Sequence, residues 1–131
     1  MAQTVRILAI DGEDIILGSI AKALRPDEEI EYAVTTANNA IEGLRLVRGN
    51  VFDIIFIDSV LAGMSADEAL RRIRKTCPSA SVVVVSGHSS ERAREGEDST
   101  GVDGSLSKPF TSSEIRSLVS SILRERKERS A

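Results

Sequence analysis

The chain has 131 residues, 41% of them apolar and 28% charged, with a net charge of −3 and a pI near 5.2. These values suit one soluble globular domain and exclude the concentrated positive field that a nucleic-acid surface needs. One cysteine, Cys77, excludes an internal disulfide. With no basic–apolar leader and no apolar run approaching about 20 residues, a cytoplasmic protein without a membrane span is expected.

"VRILAI" (5–10) is a compact apolar run of the kind that forms a strand buried on both faces. Ile16, Leu17, Ile20 and Leu24 recur at helical spacing until Pro26 stops the helix. "EIEYAVTT" (29–36) alternates, with Ile30, Tyr32 and Val34 on one side and Glu31 and Thr35 on the other, as an edge strand does. Asn38 or Asn39 caps a second helix through Arg48, with Ile41, Leu44, Leu46 and Val47 expected to face inward. "FDIIFID" (52–58) is another buried strand, and Ser65 with Glu68 opens a third helix as a capping box. "SVVVVS" (81–86) is β-branched through its middle and reads as a strand. Residues 88–100 have almost no apolar face and predict a short, poorly anchored helix. "GSLS" (104–107) is a brief last strand. Ile115, Leu118, Val119, Ile122 and Leu123 stripe a final helix that Thr111 and Glu114 cap. The charged end at 124–131 is expected to fray. Strands alternating with helices predict an α/β fold on a parallel sheet, a single domain over 1–131 with its core in 5–125. Right-handed crossovers then place helices on both faces.

Ligands of open parallel sheets bind beyond the carboxyl ends of the strands. The first, third and fourth strands end at Asp11, Asp58 and Ser86, and Lys108 follows the fifth. Each is an ordinary strand-end residue alone; together they make one rim with two carboxylates, a hydroxyl and an ammonium. Two acids suit Mg²⁺, a lysine suits phosphoryl oxygens, and Asp58 suits a nucleophile forming an acyl phosphate.

On "ILAIDGED", "FDIIFIDSVLAGMSADEAL", "VVVVSGH" and "GVDGSLSKPF" the sequence resembles the receiver domains of bacterial two-component response regulators, across residues 5 to about 125. The resemblance implies a doubly wound, flavodoxin-like five-stranded parallel sheet of order 2-1-3-4-5. It implies that Asp58 accepts a phosphoryl group from a histidine kinase or phosphotransfer protein in a Mg²⁺-dependent reaction. Asp11, Asp58 and the Val60 carbonyl would hold the metal, with Glu13 a further candidate ligand. Ser86 and Lys108 would contact the phosphoryl group, and Val60 and His88 would tune its lifetime. The Lys108–Pro109 bond is expected to be cis, as is typical in the family. Output would pass by protein contact to a further partner, with no membrane or nucleic acid involved. Catalysis would extend no further than self-phosphorylation and slow hydrolysis.

Four positions depart from the family pattern. Gly12 stands where a second acid usually binds metal. One missing carboxylate removes a gross attraction of roughly 4 kcal/mol per charge pair at an effective dielectric near 20, much of it offset by desolvation. Ser105 replaces the usual switch aromatic, Ala62 a usual proline, and 88–100 is a weak helix. Gly12 and Ser105 favour a rival reading, a pseudo-receiver binding module that is never phosphorylated. Two enzyme-class rivals fare worse: a haloacid-dehalogenase-type phosphatase needs an acid where Val60 stands, and "DGED" would repel the phosphate of a flavodoxin's flavin. Simpler readings also stand beside the functional ones: Asp11 as a helix cap, Glu13 and Asp14 as first-turn acids, Asp53 and Asp103 as turn acids, Cys77 as a small loop or core residue.

Overall fold

The computed structural model describes residues 3–87 and 102–130. The expected helix at 88–100 and His88 lie outside the described residues. The strands are β1 (Gln3–Ile10), β2 (Ile30–Ala37), β3 (Ile54–Asp58), β4 (Ser81–Ser86) and β5 (Gly104–Ser107). Among the described residues the helices are α1 (Asp14–Ala23), α2 (Ala40–Gly49), α3 (Ala66–Thr76) and α4 (Ser112–Ser130). All strand pairs are parallel, in the order β2-β1-β3-β4-β5 expected of the doubly wound α/β fold.

The pleat sorts the apolar runs onto two faces. Ile7, Ala9, Ile54, Phe56, Val83 and Val85 pack with α1 and α4, whereas Leu8, Ile10, Ile55, Ile57, Val82 and Val84 pack with α2 and α3. Both faces are covered, which is why these strands read as continuous apolar runs rather than alternating ones. β2 is an edge strand: Ile30, Tyr32 and Val34 pack against the α1–α4 side, and Glu31 is exposed.

Local signals account for most helix boundaries. Asn39 caps α2 by accepting the Glu42 N–H (2.8 Å), and Ser65 caps α3 by accepting that of Glu68 (3.2 Å). Glu68 does not complete that box; it pairs with Arg71 and Arg72 instead. The α4 box is reciprocal, Glu114 N–H to Thr111 Oγ1 and Thr111 N–H to Glu114 Oε1, both 3.1 Å.

Two expectations need correction. Ile41 faces out of α2 at 62% exposure, because Ala40, Gly43, Leu44 and Val47 form the buried stripe. Gly43 sets that rotation: a Cβ there would lie 2.5 Å from Ile10 Cδ1, so the helix comes closer to the sheet than a larger residue would allow. The charged end beyond Arg124 does not fray either, and α4 stays helical to Ser130. Arg126 anchors it by donating to Ser79 O (2.7 Å) and Ser81 Oγ (3.0 Å).

Candidate functional site

Continuing the pleat past the strand ends brings Asp11, Asp58 and Lys108 to the face of Ile7, Phe56 and Leu106. Backbone bonds brace this rim: Asp11 N–H to Ala37 O (3.1 Å), Ser59 N–H to Val85 O (2.9 Å) and Lys108 N–H to Ser86 O (2.7 Å). The Lys108–Pro109 bond is cis.

Lys108 is the centre of the site. Its Nζ lies 2.9 Å from Asp11 Oδ2, 2.9 Å from Glu13 Oε2 and 3.2 Å from Asp58 Oδ2. One ammonium therefore answers three carboxylates. Burial alone would lower the Lys108 pKa, but the carboxylates of Glu13, Asp11 and Asp58 outweigh it and hold the ammonium well above its usual range. For Asp58 burial raises the pKa; the Val60 N–H on Oδ1 (3.2 Å) counters the rise, Asp11 adds to it, and Lys108 opposes it.

Asp11 is almost fully buried. Its Oδ1 accepts the Glu13 N–H (2.9 Å), and its Oδ2 is met by the Lys108 ammonium at 2.9 Å, with no other partner among the described residues. That ammonium is shared with Glu13 and Asp58, so the buried Asp11 carboxylate is only partly neutralised and suits a further cation. Asp58 adds a second such hard oxygen donor. No group of three acidic, His or Cys side chains that could hold a metal occurs among the described residues. Mg²⁺ commonly uses only one or two carboxylates and keeps several waters, so the donor set fits it, one acid short of the family pattern. Gly12 leaves that place open: its φ is not positive, and a Cβ would meet only Asn38 O at 4.0 Å.

Glu13 stands at the N-cap of α1 without capping it by its side chain; its carboxylate reaches Lys108. This tether was not readable from the sequence, which separates the two residues by nearly the whole sheet. Ser86 shares the strand parity of Val82 and Val84, not that of Asp58, and its buried hydroxyl is directed at Leu106 O, 3.5 Å away. Val60 is exposed beside Asp58, and Ser105 is an exposed residue of β5. The other acids take structural places. Asp53 accepts the Arg6 N–H (2.8 Å), and Asp103 accepts the Val82 N–H (2.8 Å) and Arg74 (2.9 Å). Cys77 is buried at the end of α3.

The order of the sheet defines a doubly wound α/β domain with an acid–lysine rim at the carboxyl ends of its strands. The sequence model of the family described as "Response regulator receiver domain" matches residues 7–120, and the chain belongs to that family. The chain is similar to the uncharacterized transcriptional regulatory protein YkoG of Bacillus subtilis (29% identity, 91% of this chain, 51% of that protein). It thus spans about half the length of this curated relative. A CheY-like receiver domain protein from Methanospirillum hungatei JF-1 superposes with a TM-score of 0.86 at 25% identity, covering 97% of this chain and 99% of the other. A Burkholderia pseudomallei response regulator with a phosphorylated aspartic acid, calcium ion and citrate superposes at 0.77 and 25% identity, over 97% and 73% of the two chains. No described helix is long and apolar enough to cross a membrane.

Proposed function

We propose that this receiver domain accepts a phosphoryl group on Asp58 and signals by protein contact. The observation that carries the reading is the single lysine shared by three carboxylates, with Asp11 almost fully buried. With one ammonium against three carboxylates the rim is under-neutralised until a cation enters, and that cation then offsets the charge of an incoming phosphoryl group. A carboxylate oxygen of Asp58 attacks the phosphorus of a phosphohistidine; the P–N bond breaks and its electron pair returns to the donor imidazole. Burial makes Asp58 a more basic carboxylate and so a better nucleophile. Lys108 then exchanges Glu13 and Asp11 for phosphoryl oxygens, which carry about −1.5 to −2 charge at neutral pH. Asp11, Asp58 and the Val60 carbonyl would hold Mg²⁺, which when bound screens the charge between the attacking carboxylate and the phosphoryl group. Glu13 acts on Lys108 as a competitor for the incoming anion. In this reading the donor is a histidine kinase or phosphotransfer protein, the output is a protein partner, and the chemistry is limited to self-phosphorylation and slow hydrolysis; membership of the receiver family supports it. The phosphoaspartate of the Burkholderia relative supports the same reading.

Intact-mass measurement after incubation with acetyl phosphate across a Mg²⁺ titration tests it, with a known receiver labelled alongside. A phosphoryl adduct that needs metal and is abolished by Asp58→Ala is expected. No adduct at saturating metal, with the control labelled, would replace this reading with the pseudo-receiver.

A further inference from the structure

α2 and α3 lie side by side on one face of the sheet, and between them runs a groove of about 160 Å³ lined by Ile41, Leu44, Arg48, Arg72, Lys75 and Thr76. Its floor is apolar, Leu44 being buried and Ile41 the outward-facing isoleucine of α2. Its lip is cationic. Arg72 is engaged by Glu68, but Arg48 and Lys75, in the last turns of α2 and α3, are exposed and have no acidic partner among the described residues. The carbonyl ends of the two helices take up part of that charge, yet no carboxylate lines the groove. In a chain of net charge −3 this is a local reversal of sign next to uncovered apolar surface.

We infer that the α2–α3 groove docks an acidic amphipathic helix of a partner protein, one large apolar side chain seated against Ile41 and Leu44 and its flanking carboxylates on Arg48 and Lys75. The size selects this occupant. Small-molecule sites usually start at about 300 Å³, whereas this groove suits a single leucine or phenylalanine anchor. The mode is helix-in-groove recognition with an electrostatic rim. The groove lies on the face opposite α1 and α4 and uses none of the residues of the phosphoryl site, so docking is independent of Asp58 chemistry.

The test uses the full chain and a fluorescein-labelled helical peptide with leucines one turn apart among glutamates. Anisotropy should report saturable binding, and ¹⁵N-resolved NMR shifts should map to α2 and α3. Replacing Arg48 and Lys75 together by glutamate should weaken binding about tenfold or more, and Ile41→Ser should weaken it as well; all three positions are exposed, so the fold is kept. Asp58→Ala should bind like the unaltered chain. The inference is overturned by shifts mapping elsewhere, by equal binding of a peptide with alanines in place of leucines, or by preference for a single-stranded oligonucleotide of equal charge. Absence of saturable binding overturns it too.

Discussion

The two ends of the sheet handle acids in opposite ways. At the amino ends of the strands, Asp53 and Asp103 each stand one residue before a strand and each is matched by a backbone N–H and an arginine: Arg6 N–H and Arg126 for Asp53, Val82 N–H and Arg74 for Asp103. At the carboxyl ends, Asp11, Glu13 and Asp58 share one lysine, so three carboxylates have one cation between them. The first arrangement closes its charge balance within the protein and so serves stability. The second leaves it open and so serves binding, since local stability is given up where a ligand is to complete the site.

Breaking the closed end should have the largest effect. Asp103→Ala removes the acceptor of the fully buried Val82 N–H and an ion pair of Arg74, and should cost about 2–3 kcal/mol in urea unfolding. Mass labelling at Asp58 should survive in the folded fraction. A loss below about 0.5 kcal/mol, the size expected of an ordinary surface change, would show that the amino end is not the stabilising one.

Sharpening the open end comes next. Gly12→Asp adds a carboxylate where a side chain has room, and should tighten Mg²⁺ binding about tenfold while lowering metal-free stability. Calorimetric titration with Mg²⁺ reads the first effect and thermal melting the second. Unchanged affinity would mean that the glycine is not what limits the site.

The smallest effect concerns pH. The Asp58 pKa is raised in the folded state, so protonation favours folding, and that contribution is lost as pH rises through the folded value. Ionised Asp58 therefore opposes folding at neutral pH. Asp58→Asn should melt higher than the unaltered chain at neutral pH, and the gap should close below about pH 4, where the carboxyl is protonated in both states. A gap that stays constant with pH would assign the gain to packing rather than to charge.

The sequence shows the fold more readily than the side-chain geometry, for identifiable reasons. "SVVVVS" and "FDIIFID" declare buried strands because both of their faces are covered, and Thr111 with Glu114 declares a helix start because the cap is local. Ile41 was misplaced because the face that α2 buries begins with Ala40 and Gly43, whose closeness to Ile10 matters more than their hydropathy. The persistence of α4 rests on Arg126 meeting Ser79 and Ser81, partners more than forty residues away in the chain. Asp11, Asp58 and Lys108 were legible as strand-end residues, but that Lys108 gathers Glu13 as well is a matter of side-chain reach, which spacing does not encode.

The length of α4 has a mechanical consequence. Its 19 residues make a rod of about 28 Å. At one end the Thr111–Glu114 box fixes the helix start four residues after Lys108; at the other, Arg126 bolts it to Ser79 and Ser81 and faces Asp53. A beam clamped at both ends resists tilting, and Lys108 N–H is itself held by Ser86 O. The backbone mount of the ammonium is therefore stiff, and following an arriving anion falls to the four-carbon stem of Lys108, a flexible arm on a fixed post.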